Sequence, residues 1–310
     1  MLLSQNYPEY EIIIINDQSE DETKYVLEEY EAVYAPKLKV VTITDHIYEF
    51  SGKKFALTLG IKAAQNPIIL LTDADCKPVG ENWIGAMASP YKNKQTDIVL
   101  GFSPYEKKGS LLNLFIQFDT FYTALQYLSF ALGNNPYMGV GRNLSYRKEL
   151  FFKSKGFAPF LKINSGDDDL FVNHNATATN TAVQLNPESF TLSQPKKSWM
   201  AWFHQKKRHM RTGKLYKAKH KYALAYIFFS NWFFYLAVIA TCILVKPFWI
   251  GLAVLGLRMK LQTAISFGAA KRLQMPGLWP FVPFIDIIYQ LIYMPIFGLA
   301  GMFSRKKNGW

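Results

Sequence analysis

The chain has 310 residues, half of them hydrophobic and 16% aromatic, which is enough for a full core and too apolar for a disordered protein. Two cysteines, Cys76 and Cys242, and five histidines exclude a disulfide framework and a four-thiolate zinc site. The net charge of +12 divides unevenly: residues 196–310 hold 18 Lys/Arg and one acid, net +17, and residues 1–195 hold 17 Lys/Arg against 22 acids, net −5. This is the pattern of an acidic catalytic or binding domain joined to a basic segment that faces polyanion or anionic lipid.

From the N-terminus, short apolar runs alternate with helical patterns, as in a sheet built from strand–helix–strand units. Residues 11–15 (Glu-Ile-Ile-Ile-Ile) predict a strand buried on both faces. Ser19-x-x-Glu22 then predicts a capping box, with Val26, Tyr30, Val33 and Tyr34 at helical spacing. Asp17 therefore falls at the C-terminal end of a strand, where open α/β sheets bind ligands. Residues 38–43 read as a second strand, 53–65 as a helix and 67–71 as a third strand running into Thr72-Asp73-Ala74-Asp75. At that place one carboxylate of an Asp-x-Asp can meet a ligand while the other reaches Mg²⁺ or Mn²⁺, which normally carries a nucleotide diphosphate.

Residues 111–132 predict a long helix that suits either a core or a lipid surface. Asp167, Asp168 and Asp169 are consecutive, so mutual repulsion should raise at least one pKa toward the range of a general base, although a helix N-terminus alone explains one or two of them. Gln205 to His209 follow Trp199 and Trp202, a mixture suited to a diphosphate and a ring, or simply to the flank of a membrane helix. Residues 204–221 hold eight Lys/Arg and no acid, the signature of a cytoplasmic flank. Next come 23 residues, 223–245, free of charge and about 34 Å long as a helix, enough to cross a hydrocarbon core of about 30 Å. Residues 248–257 are too short to span before Arg258 and Lys260, and predict an interfacial or re-entrant segment. The run 276–303 is long enough, although it contains Pro283, Asp286 and Pro295, and it precedes the basic tail Arg305, Lys306 and Lys307. Two basic flanks on one side require an even number of crossings, hence two spans.

Taken in order, these motifs resemble the membrane-anchored, inverting members of glycosyltransferase family 2. Leu3-Ser4-Gln5-Asn6-Tyr7-Pro8 before the Ile run, Gly52-Lys53-Lys54 with Ala56-Leu57, Asp73-Ala74-Asp75, Gly141 to Arg147, Gly166 to Leu170 and Gln205 to His209 are each similar to a motif of that family. The resemblance implies an α/β fold, a GT-A type doubly wound mixed sheet followed by C-terminal membrane helices. It also implies the site roles. Asp17 would meet the donor base, Asp73 its ribose and Asp75 the metal. Lys53, Gln205, Arg208 and His209 would join the donor site, with His209 standing where the family has Trp. Asn143 and Arg147 would lie near the acceptor. Asp167 would be the catalytic base and Asp168 its fallback, with Gly166 in place of the family's Glu.

The expected organisation is a nucleotide-sugar-binding catalytic domain over residues 1–203, a basic membrane-proximal segment over 204–222 and a membrane region over 223–310. The family begins with a further strand and helix that this chain lacks, so the catalytic domain is expected to be N-terminally incomplete. The strands at 11–15 and 68–71 are then expected either to stand apart or to pair directly. The expected activity is transfer of a sugar from a nucleotide-sugar donor to a lipid-linked or glycan acceptor at the cytoplasmic face of the cell membrane, with Mg²⁺ or Mn²⁺, membrane lipids as partners and no nucleic acid. The alternatives are a catalytically silent, membrane-anchored nucleotide-sugar-binding protein, and a small-solute transporter.

Overall fold

The computed structural model of the protein describes residues 1–44, 52–163 and 165–296; the basic tail and the end of the 276–303 run lie outside them. The chain divides into two compact units, one of Met1–Pro104 with Gln126–Gln194, the other of Tyr105–Leu125 with Pro195–Trp310. The division differs from the expected boundary at residue 203 because a segment from the middle of the chain joins the C-terminal unit.

In chain order the elements are β1 (Ile12–Asp17), α1 (Thr23–Tyr34), β2 (Leu38–Ile43), α2 (Lys53–Ala63), β3 (Ile68–Leu71), β4 (Cys76–Pro78), α3 (Trp83–Ala88), β5 (Ile98–Leu100), α4 (Leu111–Leu132), β6 (Leu144–Arg147), α5 (Lys148–Lys153), α6 (Asp169–Asn175), β7 (Thr181–Val183), β8 (Thr191–Ser193), α7 (Trp199–His209), α8 (Ala218–Leu244), α9 (Trp249–Arg272) and α10 (Val282–Ile288). The strands of the first unit form a parallel pair β1–β2, a mixed sheet in the order β3–β6–β5–β7, and an antiparallel pair β4–β8. Thus β1 and β3 stand apart, in different sheets. In the mixed sheet β6 runs antiparallel to both β3 and β5, and β5 parallel to β7. Beside it Trp83, Met87, Tyr91 and Val99 form a buried cluster with Ile68 and Leu70 of β3 against it. A sheet backed in this way holds the end of β3 in place.

Two local expectations are corrected. No capping box forms at Ser19: Asn16 Oδ1 accepts from the Ser19 N–H at 3.1 Å, and Asp21 Oδ1 accepts from the Thr23 N–H at the start of α1. The apolar positions of α1 also face outward, with Val33 67% exposed and no residue of the helix buried. The face toward β2 carries Glu31 instead, whose Oε1 accepts from the Val40 N–H at 2.6 Å. β1 is correspondingly only partly buried, with Gly60 of α2 packed against the Ile15 side chain. The α4 helix is a core helix: Phe118, Phe121 and Tyr127 are buried, which answers the lipid-surface alternative.

In the second unit α8 and α9 are the two described helices long and apolar enough to cross a membrane. This corrects the expectation that Arg258 and Lys260 end an interfacial segment; the 276–303 run, expected to supply the second span, lies partly outside the described residues. Arg258 does not stop α9 because its charge is consumed inside the unit. Its Nη2 donates to Asn231 Oδ1 at 2.6 Å and to Asp286 Oδ2 at 3.2 Å, and its guanidinium lies over Phe234 and Tyr235. Asp286 also accepts from the Tyr235 hydroxyl and from the Gln262 and Gln290 amides. Among the described residues the later run makes an apolar helix over 282–296, which includes a π-helical turn at Tyr289–Tyr293.

Candidate active site

β3 ends at Leu71, and the chain turns through Asp73 and Asp75 into β4, with the Cys76 N–H donating to the Asp73 carbonyl at 3.0 Å. The turn gathers one ligand atom each from Asp73, Asp75 and Cys76 within 4.8 Å of one another. Two carboxylates on a solvent-facing turn fit a hard divalent cation that completes its shell with phosphate oxygens. The Cys76 thiol fits it less well, because burial raises its pKa and keeps it protonated. Next to this turn Thr72 Oγ1 is buried with no partner among the described residues, a hydroxyl available at the strand end.

Lys53 joins this turn to the acidic triplet. Gly52, with φ +89°, starts α2, and the first helical residue sends its ammonium to Asp73 Oδ1 at 2.8 Å and to Asp167 Oδ2 at 3.2 Å. Desolvation works to lower the Lys53 pKa, but the carboxylates of Asp167, Asp73 and Asp168 outweigh it and raise it. Its neighbour Lys54 points the other way, into the protein, donating to the carbonyls of Phe160 at 2.7 Å and Ile163 at 2.5 Å. Burial lowers Lys54 to about 8 against the pull of the Asp167, Asp169 and Asp168 carboxylates. Sequence reasoning missed this lysine. The adjacent Lys-Lys pair was its signal, since neighbours on a helix point about 100° apart.

Within the triplet the three carboxylates have separate tasks. Asp168 caps α6: Oδ1 accepts from the Asp169 N–H at 2.7 Å, and Oδ2 accepts from the Gly141 N–H at 2.8 Å. Burial first, then the Asp167 and Asp169 charges, push its pKa up to about 7, in accord with the expected repulsion. Asp169 is buried and turns back on its own helix, accepting from the Leu170 N–H. Asp167 is the member that reaches Lys53.

The remaining expected residues are not all brought to this place. Asp17 is exposed at the C-terminal end of β1, in a different sheet from β3. Asn143 is fully buried: its Oδ1 accepts from the Trp83 indole N–H at 3.1 Å, and its Nδ2 donates to the carbonyls of Phe102 and Ser189. An amide so engaged has nothing to offer an acceptor, which corrects that expectation. Arg147 is corrected likewise. The register sets it opposite Ile68, three positions and roughly 10 Å along the strand from Leu71, and it donates to the Thr96 carbonyl beside Asp97. Gln205, Arg208 and His209 lie on α7 in the second unit, where Gln205 Nε2 donates to the Tyr105 hydroxyl at 3.4 Å.

A profile of the family described as Glycosyl transferase family 2 matches residues 1–160. Among solved structures, the chain is similar to the mannosyltransferase PcManGT from Pyrobaculum calidifontis in complex with GDP-Man and Mn²⁺, with 17% identity, a TM-score of 0.56, and coverage of 92% of this chain and 81% of that one. It is also similar to S. aureus TarS, residues 1–349, in complex with UDP, with 15% identity, a TM-score of 0.46, and coverage of 99% and 88%. At such identity the first likeness speaks for the fold. No curated protein matches the chain.

Proposed function

The chain belongs to glycosyl transferase family 2, and from that premise we propose that it moves a sugar, with inversion, from a nucleotide-diphosphate donor to a hydroxyl of a lipid-linked or glycan acceptor. The observation that carries this reading is the Lys53 bridge: one ammonium touches Asp73 of the Asp-x-Asp turn and Asp167 of the acidic triplet, so the donor-binding and proton-accepting groups share one locality. Asp73 binds the ribose, Asp17 the base, and Asp75 with Asp73 holds Mg²⁺ or Mn²⁺. Such a cation, when bound, offsets the charge of the leaving diphosphate.

Asp167 takes the proton of the acceptor hydroxyl, because its carboxylate is held by an exposed lysine that a diphosphate can draw away. Asp168 is the weaker candidate despite its raised pKa, since both its oxygens are taken by backbone N–H groups. Lys53 passes to the donor phosphates; for a donor role of Gln205, Arg208 and His209 the support is the resemblance of their motif. The basic residues 204–221, which run into the first turn of α8, favour the cytoplasmic face of a membrane.

The test is incubation of the full chain, in membranes or detergent, with a panel of labelled nucleotide sugars, with and without Mn²⁺. Cation-dependent release of nucleoside diphosphate is expected, abolished in Asp167→Asn with donor affinity nearly intact. A loss of affinity equal to the loss of rate would make Asp167 a binding residue instead. A second reading, a silent nucleotide-sugar-binding protein, draws support from the separation of β1 from the sheet of β3, since no main-chain ladder holds Asp17 to Asp73. Donor binding without turnover would establish it.

A further inference from the structure

Two lysines open α2, and the proposed reaction uses the first. Lys54, the second, is 6% exposed, and its ammonium donates to the carbonyls of Phe160 at 2.7 Å and Ile163 at 2.5 Å and lies 5.2 Å from the centre of the Phe160 ring. Desolvation opposes a buried cation, so an apolar side chain of similar length would fill this place at less cost. Packing alone does not account for the lysine.

What it holds does account for it. Phe160 closes the 3-10 turn 158–160, and its carbonyl also accepts from the Ile163 N–H at 3.2 Å. From 161 to 168 no described residue belongs to a helix or strand, and the chain bends at Gly166, with φ +96°, before it reaches Asp167. Without a ladder, backbone carbonyls depend on side chains for their partners. On the far side of Asp167 the course of the chain is set by α6, whose start Asp168 caps. On the near side Lys54 ties it at Phe160 and Ile163. The adjacent Lys53 meets the Asp167 carboxylate itself at 3.2 Å. One helix end thus holds both the approach to Asp167 and its side chain, and all of these residues belong to the first unit.

We propose that Lys54 is a positioning residue for the proton transfer: by tying the Phe160 and Ile163 carbonyls to the start of α2, it fixes the approach of the chain to Asp167 and so the place of the carboxylate that receives the acceptor proton. This rests on the assignment of Asp167 as the base made above. Loss of the ties leaves the base present but misplaced, and a small misplacement of a reacting group costs rate rather than donor binding.

The experiment measures kcat, donor affinity, melting temperature and amide hydrogen exchange in the full chain. Lys54→Met keeps the stem and removes the ammonium. Its kcat is expected to fall about tenfold with donor affinity within about twofold of the parent chain, and exchange over 158–163 is expected to rise while that of β3 does not change. An unchanged kcat, or unchanged exchange over 158–163, overturns the proposal. So does a fall in kcat matched by an equal fall in donor affinity, or a rise in exchange that extends into β3, since either marks a general loosening. Lys54→Gln keeps a neutral donor, and it answers by the same criteria if the Met variant melts too low to assay. Asp167→Asn separates this from the underlying reading: if that variant still transfers sugar, Asp167 is not the base and both fall. If it abolishes transfer while Lys54→Met keeps its kcat, the positioning role alone falls.

Discussion

Gly166 stands where the resembling motif has Glu, and its backbone accounts for the departure. It has φ +96°, and a Cβ built on it would come within 2.4 Å of Leu170 Cδ1. Gly166→Glu is therefore expected to lower the melting temperature, by strain of about 1–3 kcal/mol, and to lower activity rather than restore a lost function. A thermal melt with an activity assay checks it. At the Asp-x-Asp turn, Asp75→Asn removes one of the charges proposed to hold the cation. Turnover at limiting Mn²⁺ should fall by orders of magnitude with an unchanged melt; full activity at equal protein level would remove Asp75 from the metal site. Asp168 makes a pH prediction. Its folded pKa, about 7, lies above the unfolded value of about 3.9, so the folded chain holds an extra proton between them. Its contribution to stability is complete below about pH 4 and lost as the pH rises through 7. The melting temperature should fall across that window, and the slope should flatten in Asp168→Asn.

The helices show how the partner of a charge decides what an element becomes. Arg258 reads in sequence as the end of an apolar run, and in the structure it sits within the 24-residue α9, because Asp286, Asn231 and two aromatic rings receive it. Removing one partner leaves the other buried and unpaired. Arg258→Leu should thus lower the melting temperature in detergent markedly, by about 3–5 kcal/mol of stability, and Arg258→Leu combined with Asp286→Asn should recover much of it. A combined variant as unstable as the single one would show that the ion pair is not what holds α8, α9 and α10 together. Helix α1 makes the converse case: its helical spacing was legible, but its outward apolar face was not, because the burial of a stripe depends on what packs against it.

At the scale of the whole chain, two crossings by α8 and α9 would return the polypeptide to the side from which it came. Residues 204–217 and the Lys271–Arg272 end of α9 would then share the cytoplasmic side, and the turn at Lys246 would face the other way. Cysteine labelling with an impermeant reagent tests this. Lys246→Cys should be labelled in intact cells, and Lys214→Cys only after permeabilisation; labelling of both in intact cells would refute the two-span arrangement.

What the sequence determined by itself is whatever depends on neighbours along the chain. The strand leading into Asp73 and Asp75, the acid triplet at a helix start and the long apolar helix after a basic flank all follow from local periodicity and composition. The repulsion within the triplet was legible too, since three adjacent carboxylates cannot all escape one another. Tertiary structure decided what depends on distant partners. It brought Lys53 between Asp73 and Asp167, turned Asn143 and Arg147 from acceptor candidates into internal ties, paired Lys206 with Asp119 and let α9 continue through Arg258. It also set β1 and β3 in different sheets. The physical reason is common to all of these: a polar side chain takes its role from the group that satisfies it in space, and motif spacing cannot tell a ligand contact from a buried partner.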